Sequence, residues 1–385
     1  MLLATSYSVA NFANTIFYVD DDNTEGPWDG SIQHPFQLIQ DAIDASKNRD
    51  TVIVLDGLYM ENLIIDSSII LQGSESTIID GLRKNTTITV FADNCTIQGF
   101  TITNCSPADL EFEHCLMLVR SDNNTIQNNR YLLEGTVGFY SIAALQIQDA
   151  QKNKIIKNTF IAEDNISRNH AIHLQGQCTD TILEENNING YDVAISDSYD
   201  NTLTIITKNI LSKNMMGMEL YGSSIFITNN TIKFNKANGI LIFNGFQHII
   251  TNNEISENGQ NDGVGASPGL MLYKGMDMVI ENNNFDHNAG PAIYIYRSYD
   301  NHIIENNIID NGWNYEQDVK PNTFVYTHLS DILKTNKWEQ NYWEPSSDTS
   351  WQKIPSDLQI FAYFDFVYSI PWYAFDKNPA QEPWM

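Results

Sequence analysis

The feature that most constrains this chain is a phrase that keeps returning: an apolar pair, a turn carrying asparagine, then a second apolar pair. It reads Asn124-Thr-Ile-Gln-Asn-Asn, Asn153-Lys-Ile-Ile-Lys-Asn, Ile225-Phe-Ile-Thr-Asn-Asn, His248-Ile-Ile-Thr-Asn-Asn, Met278-Val-Ile-Glu-Asn-Asn and Asn301-His-Ile-Ile-Glu-Asn-Asn. The first asparagine after each apolar pair falls at 128, 158, 186, 209, 229, 252, 282 and 306. A constant phrase at a variable step means fixed strands joined by loops of variable length. Asparagine suits such turns because it tolerates the left-handed backbone, and equivalent amides stacked in successive repeats can form a ladder.

Between the phrases lies a third element: Ala171-Ile-His-Leu, Val193-Ala-Ile-Ser, Met218-Glu-Leu-Tyr, Gly239-Ile-Leu-Ile, Gly269-Leu-Met-Leu and Ala292-Ile-Tyr-Ile. Each alternates with period two, so alternate residues face in and out. Three short strands per repeat of about 21–30 residues close a triangular coil. The expected fold is all-β: one right-handed parallel β-helix, a column in which each coil contacts only its neighbours. Residues 1–57 are expected to be a strand, a loop and a capping helix. The coils are expected over 58–337, and an aromatic cap over 338–385.

The opening carries its own signals. Phe17-Tyr18-Val19 reads as a strand, and Asp20 to Ser31 as a Gly/Pro-rich loop. Pro35 to Ala45 places Phe36, Ile39, Ala42 and Ile43 at helical spacing, with Pro35 suited to a first turn. Such a helix would cover the open apolar end of the first coil. Met1 to Asn14 lacks a basic start and reads as a leader remnant or a frayed terminus. The tail from Trp338 is dense in aromatics and is expected to fold back on the column.

Composition narrows the function. The net charge is −27, which repels phosphate backbones and anionic lipid heads, so nucleic acid is not an expected partner. Polyuronates are disfavoured unless Ca²⁺ bridges the carboxylates. No run of 18 apolar residues is present, so no membrane insertion is expected. The overall character suggests an extracellular or cell-surface monomer. Cys95, Cys105, Cys115 and Cys178 form no CxxC pair. One disulfide among the first three, or buried thiols filling coil positions, are the two alternatives.

The phrases GI-x-L and N-T-I-x-N-N, and PFQLIQDAIDA followed by TVIVLDGLY, resemble the pectate-lyase-like right-handed β-helix superfamily. Within it they are most similar to NosD-type and related surface β-helix proteins of archaea and bacteria. The resemblance covers nearly the whole chain and implies the fold. It implies no single activity, because that superfamily hosts lyases, hydrolases, epimerases and adhesins. Catalytic residues do not carry over. The NTD, GHG and RIK runs of polygalacturonase-like hydrolases, the R-x-P-x-x-R run of pectate lyases and the DPHD run of alginate epimerases are absent. No His/Met-rich or Cys/His cluster suits copper.

Projected coil by coil, the outward residues of the third strand run Met117/Val119, Gln146/Gln148, His173/Gln175, Ala194/Ser196, Glu219/Tyr221, Leu241/Phe243, Met271/Tyr273 and Tyr294/Tyr296. The first half of this face is polar and the second apolar and aromatic. In one reading Tyr221, Phe243, Tyr273, Tyr294 and Tyr296 form a platform for sugar rings, beside Gln146, His173, Gln175 and Ser196. In the other the aromatic tail covers that strip. Candidate acid–base groups are His173, Asp197 and Glu219, with His170 and Asp192 nearby. Lys274 and Arg297 could neutralise a uronate or serve a lyase. Asp20, Asp21, Asp22 and Asp29 form an acidic loop whose oxygen ligands suit Ca²⁺, the one cofactor considered. The expected function is binding of a polysaccharide or surface glycan without turnover. The alternative is a polysaccharide lyase or glycoside hydrolase working in a groove along that face.

Overall fold

The computed structural model describes residues 14–106, 115–134, 142–163, 169–260, 266–312, 323–328, 336–344, 352–362, 366–376, 379–380 and 383–384. The leader reading at 1–13, and Trp351, Tyr363 and Phe364 of the aromatic tail, lie outside them.

The chain winds through three sheets in turn, giving a parallel solenoid. Among the described residues, sheet I has 13 strands, sheet II has 12 and sheet III has 13. Strands of one sheet pair in parallel from coil to coil, as in Thr125–Gln127 on Lys154–Ile156 in sheet I. Most strands are three to five residues long because the alternating run is cut by left-handed turns. Asn128, Lys157, Glu185, Lys208, Asn229, Asn252, Asn282 and Glu305 all sit at φ of 54–57° at the corner between sheets I and II.

The residue after each of these turns does different work. Asn129, Asn158, Asn186, Asn209, Asn230, Asn253, Asn283, Asn306 and Asn341 are buried, and each amide oxygen accepts from the coil before it. The Asn-Asn doublets therefore combine a turn residue with a ladder residue. The expected ladder positions 128, 229, 252 and 282 are the turn members, and the ladder lies one residue later. Asp376 ends the column: its carboxylate accepts both Asn341 N–H (3.1 Å) and Asn341 Nδ2 (3.0 Å). A carboxylate has no proton to pass on, so it can terminate an amide ladder but not extend it. A second ladder runs through Asn214, Asn235, Asn258, Asn288 and Asn311 after sheet II.

The core is the column of inward residues, among them Ile206, Leu211, Met218 and Leu220 of one coil, all at 0–1% exposure. Each such side chain contributes at most about 1.5–3 kcal/mol of burial. At the N-terminal end the helix α1 spans Ile39–Ala45, four residues shorter than the apolar spacing suggests. Phe36 instead bridges to Val19. The Glu61 carboxylate accepts Ile39 N–H (2.8 Å) and Gln40 N–H (3.0 Å), which fixes where the helix begins. The Gln40 amide then bonds both Ile64 N–H (2.9 Å) and Ile64 O (3.1 Å), closing the first edge of sheet III. At the other end Gln352–Ala362 pairs in parallel with Thr323–His328, and Phe366–Asp376 returns antiparallel to it, so sheet III ends in a hairpin.

All four cysteines are buried thiols. Cys95 Sγ lies 3.3 Å from Ala92 O, and Cys178 Sγ 3.2 Å from Gln175 O. They are core thiols, and the disulfide alternative is not realised. No helix among the described residues is long and apolar enough to cross a membrane.

Candidate functional site

The register of sheet III decides which residues share its outer face. Leu118 pairs with Gln146, Gln146 with His173, His173 with Ser196, Ser196 with Glu219, Glu219 with Leu241, Leu241 with Met271 and Met271 with Tyr294. A second column runs through Gln148 and Gln175, then through Phe243, Tyr273 and Tyr296. The register departs from the projected face at Met117, Val119 and Ala194, and within it Gln146 and Ser196 are buried. Met117 and Val119 are core residues at 0% exposure, because the strand Cys115–Val119 pairs one residue out of the projected phase. Ala194 is also in the core, buried there together with its neighbour Ile195.

Asp197 is the larger correction. It pairs with Leu174, and Leu174 with Ile147, so it occupies an inward column of aliphatic side chains. Its carboxylate is buried and accepts Tyr221 N–H (2.6 Å) and Gly222 N–H (3.2 Å). Burial pushes its pKa up to about 7, against those two amide bonds. Glu219 faces out, so the two carboxylates stand on opposite sides of the sheet and cannot flank one glycosidic bond.

The polar half of the face is tightly organised. Ser196 Oγ lies 2.7 Å from His170 Nδ1 and 2.8 Å from His173 Nδ1. The hydroxyl has one proton, so one imidazole accepts it while the other donates its own N–H. Burial, then the neighbouring His173, pushes the His170 imidazole down to about 4, which keeps that ring neutral near pH 7. Gln146 Nε2 donates to Gln175 Oε1 in the next coil. Glu219 Oε1 accepts the Tyr221 hydroxyl at 2.8 Å. The spacing of His170 and His173, three apart in the strand Asn169–Gln175, gave a sign of the histidine pair; that one serine would join them was not readable without the register.

The aromatic half is built differently from a platform. Phe243 and Tyr273 stack at 4.3 Å between centroids and 12°, and Tyr273 and Tyr296 at 4.7 Å and 10°. Tyr221 packs on Phe243 at 5.5 Å. Stacked along the column, the rings spend their faces on one another and present edges outward. All four are half-buried.

The other candidates do not converge. Lys274 and Arg297 sit in left-handed turns after their strands (φ 55° and 50°), and Lys274 Nζ lies 5.2 Å over the Tyr273 ring. Asp20 Oδ1 accepts Asp22 N–H (3.1 Å), Asp21 Oδ2 accepts Leu58 N–H (3.0 Å) and Asp29 Oδ1 accepts Ser31 N–H (2.9 Å). These acids organise separate turns. Among the described residues no group of three or more His, Cys, Asp or Glu is placed to hold a metal ion.

Residues 170–319 match the family model described as right handed beta helix region. None of the curated proteins matches the sequence. Among solved structures, the chain is similar to the DFA-IIIase from Arthrobacter chlorophenolicus A6 without its lid: TM-score 0.58, 14% identity, 87% of this chain and 96% of that one. It is also similar to a mannuronan C-5 epimerase A-module of Azotobacter vinelandii, at TM-score 0.55 and 14% identity over 74% and 92%. A third is the Dettilon tailspike protein, at TM-score 0.53 and 12% identity over 85% of this chain and 62% of that one. At these identities the likeness is one of fold. The chain has the fold of a right-handed parallel β-helix.

Proposed function

We propose that the protein is a secreted or cell-surface carbohydrate-binding β-helix that holds a glycan along the polar half of the outer face of sheet III. The observation that carries this reading is the unbroken row Gln146, His173, Ser196 and Glu219, one residue per coil, with Gln148 and Gln175 beside it. Amides, hydroxyls and imidazoles at a regular step suit a polymer of repeated hydroxyl groups. Neighbouring strands are ~4.8 Å apart, and while Gln146 and Ser196 are buried within the row, an extended chain lying along the column meets the half-buried His173, Gln175 and Glu219. The stacked rings beyond Glu219 serve as a structural column.

The test is titration calorimetry against a panel of neutral and acidic oligosaccharides. Heat of binding to a subset supports the reading, and silence across the panel contradicts it. The same mixtures are read for new reducing ends and for the ultraviolet absorbance of unsaturated sugars. Either signal would make the protein an enzyme and move its chemistry to the His170–Ser196–His173 cluster, where acid–base groups already touch.

A further inference from the structure

The carbohydrate face carries one carboxylate in a row of otherwise uncharged or imidazole side chains, and its position is informative. Glu219 closes the polar run: Gln146, His173 and Ser196 precede it in successive coils, and Leu241 and Met271 follow. A ligand spanning the polar coils therefore ends against it. The Tyr221 hydroxyl holds the carboxylate in place from the same strand end (2.8 Å).

Among the described residues, the cations that follow strands of sheet III are remote from Glu219. Lys274 and Arg297 follow strands two and three coils further on, and each coil adds ~4.8 Å, so the nearer is about one screening length away. Arg120 lies four coils to the other side, with its Nε bonded to Gln148 Oε1 (2.8 Å). His170 is desolvated and neutral near pH 7. The net charge of −27 adds a long-range field of the same sign.

We infer that the outer face of sheet III selects neutral glycan chains against uronate chains, and that Glu219 is the residue that enforces the selection. The inference rests on the reading of this face as a glycan site. Neutral hydroxyls donate to the carboxylate. A uronate placed on the same coils sets like charges side by side, and discrimination by such repulsion is a common source of specificity.

The test uses neutral gluco-, manno- and galacto-oligosaccharides and the same oligomers with their primary hydroxyls oxidised to carboxylates, so each pair differs in charge and little else. Titrations are made with the full chain and with Glu219→Gln, which keeps an oxygen to accept the Tyr221 hydroxyl. The wild type is expected to favour the neutral member by at least about tenfold, a margin that narrows with added salt. Glu219→Gln is expected to bring the two members to within about threefold, chiefly by tightening the acidic one. Equal affinity in the wild type, or a preference that survives Glu219→Gln, overturns the inference while leaving the glycan site standing. Failure of every oligomer, neutral or acidic, removes the site itself and the inference with it.

Discussion

The amide ladder between sheets I and II offers the sharpest test of what holds the coils in register. Take Asn230→Ala. The Asn230 side chain accepts Asn209 N–H (2.9 Å) and Asn209 Nδ2 (3.0 Å). It donates to Ile206 O (2.8 Å), Thr228 O (3.1 Å) and Asn253 Oδ1 (3.0 Å). Truncation leaves the buried Asn209 N–H without its acceptor, at about 1–3 kcal/mol, and removes further bonds to buried carbonyls at about 1 kcal/mol each. The expected loss is about 3–5 kcal/mol. Asn229→Ala, one residue earlier, is the internal control. That asparagine is exposed at φ 57°, and alanine there costs only the left-handed backbone penalty, about 1 kcal/mol. The assay is urea unfolding of both variants followed by circular dichroism, with the slopes compared as well as the midpoints. A difference between the variants below about 1 kcal/mol would refute the assignment of separate roles to the two members of the doublet.

Three further outcomes are expected. Asp197 has its pKa raised to about 7 from an ordinary 3.8, so its contribution is full at low pH and is lost as pH rises through 4 to 7. Asp197→Asn should therefore gain up to about 4 kcal/mol over the wild type at pH 8 and little at pH 4, read by unfolding at both. His248 is fully buried with Nδ1 accepting Ile225 N–H (3.1 Å), and burial lowers its pKa to about 4. Its contribution is present above about pH 6.5 and lost as pH falls toward 4, so His248→Asn should flatten the acid limb of the stability curve. Tyr273→Leu should lower stability by about 1–2 kcal/mol by breaking the ring stack and should leave glycan titrations unchanged, since the ring faces are turned to Phe243 and Tyr296.

Much of this architecture was legible in the sequence because its cause is local. Period-two alternation and the returning asparagine are sufficient for strands, turns and stacking, and the outward polar row Gln146, His173, Ser196 and Glu219 follows from them. What was not legible depends on phase. A one-residue slip reverses every side chain, so Met117 and Val119 were expected outside and lie inside. Asp197 reads as a surface acid by composition, and only its pairing with Leu174 shows that it points inward. In the Asn-Asn doublets two physical demands, a left-handed turn and a buried amide, favour the same residue type, so the sequence pattern does not separate them. Helix α1 starts late because Glu61, 22 residues away from Ile39, supplies its first acceptor. The aromatic column was visible as composition, but whether rings meet a ligand or one another is a matter of geometry.

The central claim is that the polar half of sheet III is where a glycan sits. The most direct measurement is titration of one oligosaccharide that binds the wild type against the double variant His173→Ala/Gln175→Ala, with Tyr273→Leu alongside. The account predicts at least about tenfold weaker binding for the polar double variant and no change for the ring variant. Unchanged binding by the double variant, or binding lost with Tyr273 alone, would contradict it.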